Sequence, residues 1–92
     1  MNHQEGTAAV LKIAGNYAVV QVEGRRFPAA AIQGDSLKIL QGLLQELSEN
    51  LDAGDAEEAR FPLAEIESVI SGMLSVYEDA SRSYGFKLPY AP

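Results

Sequence analysis

Ninety-two residues, a formal net charge of −6 and no cysteine set the first limits. The length suits one small domain with a modest core, which association with a second chain would enlarge. The lack of cysteine excludes disulfides, thiolate metal sites and a cysteine nucleophile, and the acidity argues against nucleic acid and anionic membranes as partners.

The opening residues, Met1 to Gly6, have neither the basic flank nor the apolar run of a signal peptide. No apolar run approaches the length of a membrane span, so a soluble cytoplasmic protein is expected. Charge is unevenly placed. Residues 1–34 carry three basic and two acidic side chains, whereas residues 35–92 carry four basic and eleven acidic ones. A solvated helical surface accounts for this excess, and an acidic face aimed at a basic partner is the competing reading.

In chain order, Thr7 to Ala14 alternates as a strand, with Val10, Lys12 and Ala14 on one face and Ala9, Leu11 and Ile13 on the other. Gly15-Asn16 suits a tight hairpin turn. Tyr17 to Glu23 is the second strand, rich in β-branched residues. Gln21 and Glu23 share a face with Tyr17 and Val19, which predicts that face to be the wetter one. A turn at Glu23-Gly24-Arg25 leads to a third strand, Arg26 to Ile32, weakened by Pro28, which lacks an N–H. Residues 1–34 thus read as an antiparallel meander.

Gly24 to Leu37 is the junction between strand-like and helix-like spacing. Asp35 is the favoured cap of the first helix, residues 35–54, with Ser36 the other candidate. Leu37, Leu40, Leu44, Leu47 and Leu51 step by three and four as a heptad-like seam. Gly54 is suited to a left-handed helix end, and a short acidic linker follows. The second helix, residues 61–85, is expected to hold Pro62 in its first turn. Its seam is Leu63, Ile66, Ile70, Met73, Tyr77, Ala80 and Tyr84, with Val69, Leu74 and Val76 as a second row. Residues 86–92 form an extended tail.

The expectation is a single α+β domain spanning residues 1–92: a three-stranded antiparallel sheet in β-β-β-α-α order, packed against an antiparallel two-helix hairpin. Open sheet edges and the broad face of the second helix make a homodimer the expected assembly.

The segments Gly15-Asn16-Tyr17-Ala18-Val19-Val20, Gly24-Arg25-Arg26-Phe27-Pro28 and Ile32-Gln33-Gly34-Asp35-Ser36-Leu37, with the closing Leu88-Pro89-Tyr90, resemble a family of small bacterial proteins known only as a domain of unknown function. The family pattern carries glycine after the proline, where this chain has Ala29. The resemblance supports the fold expectation and implies no activity.

No catalytic set stands out. His3 lies in the first few residues of the chain, where ordering is weakest. Glu57 with Glu58 and Glu78 with Asp79 are sequence neighbours that diverge around a helix. Ser36 and Ser71 lack a histidine to activate them. Arg25 and Arg26 form one basic pair, too small for a nucleic-acid footprint but able to grip a carboxylate or phosphate.

Two functions compete. The first is a non-catalytic protein–protein interaction module, accessory or of the immunity or antitoxin type. Val69, Met73, Val76, Tyr84, Phe86 and Tyr90 are its candidate interface, and its partner is another protein or a second copy. The second is a ligand-binding or enzymatic module with a polar pocket of Arg25, Arg26, Gln33 and Asp35, its ligand unspecified. Neither reading calls for a metal or cofactor.

Overall fold

The computed structural model describes residues 6–92; His3 lies outside them. It is an α+β arrangement, with a three-stranded antiparallel sheet followed by two helices. The strands are β1 (Ala8–Ala14), β2 (Tyr17–Val22) and β3 (Ala29–Ile32), in spatial order β1-β2-β3. The helices are α1 (Gly34–Asp52) and α2 (Ala56–Tyr84). The chain gathers into two compact units. One holds the residues up to Ile32 together with Met73–Pro92, and the other is Gln33–Gly72.

In the sheet unit, Gly15 turns β1 into β2 at φ 60°, a conformation that glycine adopts without the Cβ penalty. A bulge between Val10 and Lys12 leaves Leu11 without an opposite residue and breaks the strict alternation of β1. β3 starts at Ala29, three residues later than the sequence suggests. Pro28 cannot donate to a ladder, and its carbonyl instead accepts the Tyr77 hydroxyl at 2.7 Å.

The expected wetter face of β2 is the buried one. Val19 is fully buried and forms the core with Tyr77 and Ala80 from the end of α2. Leu11, Val76, Phe86 and Leu88 pack around that cluster. Gln21 does not wet the face, because its amide donates to the carbonyls of Val22 and Arg25 at the strand end. Glu23 lies beyond the strand and accepts from the Thr7 hydroxyl.

The hairpin unit begins differently from expectation. Gln33 is the N-cap of α1 and makes no side-chain capping bond. Asp35 lies inside the first turn, its carboxylate accepting the backbone N–H of Ser36 at 2.8 Å. Neither Asp35 nor Ser36 is therefore the cap, although Asp35 still places negative charge at the positive helix end. Gly54, at φ 74°, closes α1 as foreseen. The N–H groups of Gly54 and Asp55 return to the carbonyls of Leu51 and Asn50.

α2 starts five residues earlier than expected, at Ala56 rather than residue 61. Asp55 accepts the Glu58 N–H at 3.1 Å, and Glu57 and Glu58 fill the first turn. Pro62 therefore lies within the helix, fully buried, rather than in its first turn. No helix among the described residues is long and apolar enough to cross a membrane.

Candidate interaction surface

Burial divides the leucines of α1 into two rows. Leu40, Leu43 and Leu47 are half-buried and share one side of the helix. Leu37, Leu44 and Leu51 recur every seven residues, rotated to one flank, and are 53%, 51% and 58% exposed. No residue of α1 is fully buried. On the first part of α2, Ala59, Pro62 and Ile66 turn inward, while Leu63 and Ile70, again seven apart, stay exposed. Leu51 and Leu63 line a common groove with Leu47 and Ala59, so the two outer rows meet on one face of the hairpin.

A second groove, of about 370 Å³, runs along the start of α1 between Leu37, Leu40 and Leu44. The basic residues of the hairpin unit are Lys38 and Arg60. Lys38 lines the α1 groove and Arg60 the one shared with α2. None of the unit's carboxylates lines either groove. Lys38 donates to the amide oxygen of Gln41, and neither cation has a carboxylate partner among the described residues, where the ion pair is Arg82 with Asp79.

The sheet unit has an uncovered apolar face of its own. Val10 opposes Val20 and Ile13 opposes Ala18, which puts these four on one side of the sheet. Val10 and Ile13 are well exposed there.

The sequence-derived site residues belong to both units. Arg25 and Arg26 are exposed in the β2–β3 connection of the sheet unit, and Gln33 and Asp35 are exposed at the start of α1 in the other unit. Arg26 sits over the Phe27 ring, 5.2 Å from its centre. With Lys87, Phe27, Phe86, Leu88 and Pro89 it lines a groove of about 420 Å³. Lys87 is thus a neighbour of Arg26 that sequence spacing could not supply.

Among the candidate interface residues, Val76 and Phe86 pack on the chain's own core. Phe86 meets Tyr77 edge-on at 5.4 Å, and Tyr90 stacks on Tyr77 at 6.2 Å. Tyr90 also donates to Glu78 at 2.9 Å. Val69 and Met73 are half-buried, and Tyr84 is exposed. Burial raises the Tyr77 hydroxyl above its ordinary pKa. Burial, followed by the hydrogen bond and the charge of Glu78, raises that of Tyr90.

Residues 3–90 match the family model described as Family of unknown function (DUF6959). The chain belongs to that family. Comparison with curated proteins and with solved structures gave no match.

Proposed function

We propose that this member of the family is a non-catalytic protein–protein interaction module acting in the cytoplasm, as an accessory or partner-masking protein. The supporting observation is the flank formed by Leu37, Leu44, Leu51, Leu63 and Ile70, five large apolar side chains that the chain leaves half in water. Contiguous exposed apolar surface of this kind is characteristic of contact with another macromolecule. Seven-residue spacing is the pattern of a helix that packs against further helices.

A photo-reactive amino acid at Leu44, in cells that naturally make the protein, tests the reading. The expected result is one discrete protein adduct, and no such adduct from the same group placed at Glu46. Equal, diffuse labelling from both positions overturns it.

The observation that bears on the ligand-binding alternative is the groove lined by Arg26 and Lys87, two cations together. Titration calorimetry with phosphate and with small dicarboxylates tests it, and absence of heat with both series removes it.

A further inference from the structure

We infer that the partner of the hairpin is a second copy of this chain, the two hairpins packing with α1 antiparallel to α1 about a two-fold axis near Leu44. This inference rests on the interaction reading and names its occupant.

The charges on the hairpin select the occupant. Both cations of the unit line the apolar grooves, and neither is paired with a carboxylate among the described residues; Arg60 also borders a groove with Glu57 and Glu58, so the charge that a partner must answer is chiefly that of Lys38. The complementary surface is an apolar helix with carboxylates along its border. α1 itself meets that description: Leu37, Leu44 and Leu51 on one flank, with Glu49 and Asp52 exposed on its second half.

Its charge distribution also selects the direction of pairing. Lys38 is the sole cation of α1 and lies near its start, whereas three of its carboxylates lie in its second half. A parallel pair would set carboxylates against carboxylates. An antiparallel pair brings each Lys38 toward the Glu49 and Asp52 end of its partner. The apolar row permits this, because Leu37 and Leu51 are equidistant from Leu44, so the row maps onto itself under the two-fold operation that a symmetric dimer requires. Leu63 and Ile70 of α2 extend the same face, giving an antiparallel four-helix arrangement.

Sedimentation equilibrium on the purified full chain tests the inference. The wild type is expected to sediment as a dimer at tens of micromolar. Leu44→Glu is expected to sediment as a monomer with unchanged far-ultraviolet circular dichroism, since Leu44 is half-exposed in the single chain. Lys38→Glu places like charges together and is expected to weaken association by about tenfold or more. Adding Asp52→Lys to that variant is expected to recover most of the loss, an outcome that a simple folding defect would not give.

A wild-type monomer at about 100 µM, where a pair with micromolar Kd is assembled, overturns the inference. So does a dimer indifferent to Leu44→Glu. A monomeric protein that still yields a discrete photo-adduct with a different protein at Leu44 would refute self-pairing and leave the interaction reading intact.

Discussion

The two units use one helix, α2, in opposite ways. Where α2 belongs to the sheet unit, Tyr77 and Ala80 are buried against Val19, and the tail adds Phe86 and Leu88 around them. Tyr77 also has a hydrogen-bonded hydroxyl and two ring neighbours. Where α2 belongs to the hairpin unit, the buried residues are Ala59, Pro62 and Ile66, and α1 contributes none. The core on the Val19 side of the sheet is therefore closed, while Val10 and Ile13 stay exposed on its other side and the hairpin core is open on a flank. On the interaction reading proposed above, contact at the hairpin flank completes the second core, because apolar area left in water retains its drive for burial.

The largest expected effect falls on the closed core. Tyr77→Ala removes the ring that joins β2, α2 and the tail, and it should cost about 3–5 kcal/mol, the usual range for truncating a buried aromatic. Urea unfolding measures this. If the loss equals that from Leu44→Ala in the monomeric background, the contrast between the units fails.

Tyr77→Phe is smaller and sharper. It keeps the ring and leaves the Pro28 carbonyl without its donor, a loss of about 1–3 kcal/mol for a buried acceptor. Alkaline pH probes the same group. The folded pKa of Tyr77 lies above its ordinary value of 10.0, so the unfolded chain ionises first. Stability from this group is then fully present below pH 10.0 and is lost as pH rises toward the folded pKa. Tyr77→Phe should lose less stability than wild type between neutral and alkaline pH. Equal losses would mean that Tyr77 does not control alkaline unfolding.

Much of the architecture was legible in the chain. Alternation and the Gly15-Asn16 pair located the first hairpin, and Gly54 located the helix corner. The burial of Val19 was not legible, because Gln21 and Glu23 mark polarity at a strand end rather than along a face. Their side chains bond around the turn and the sheet edge, away from the core. The start of α2 carried a readable signal, Asp55 followed three residues later by Glu58, the spacing of a capping box. Pro62 drew the assignment forward instead. The Tyr77–Pro28 bond, 49 residues apart in sequence, left no local trace. The α1 heptad concealed the division between half-buried and exposed leucines. Spacing alone lists Leu40, Leu44 and Leu47 together, and only packing separates the inner row from the outer one.

The smallest effects concern the two helix starts in the hairpin unit, which differ in how they are capped. Asp55 satisfies an orphan N–H at the start of α2, whereas Asp35 bonds only its immediate neighbour at the start of α1. Asp55→Ala should therefore cost about 1 kcal/mol, the usual value of a lost side-chain cap. Asp35→Ala forfeits chiefly its attraction to the helix end, about 0.3–1 kcal/mol and reduced by salt. Thermal melts of both variants at low and high ionic strength separate the two contributions. Asp35→Ala should converge on wild type as salt is added, while Asp55→Ala should retain most of its deficit. Convergence of both variants would reduce Asp55 to a charge effect and remove the local reason for the early start of α2.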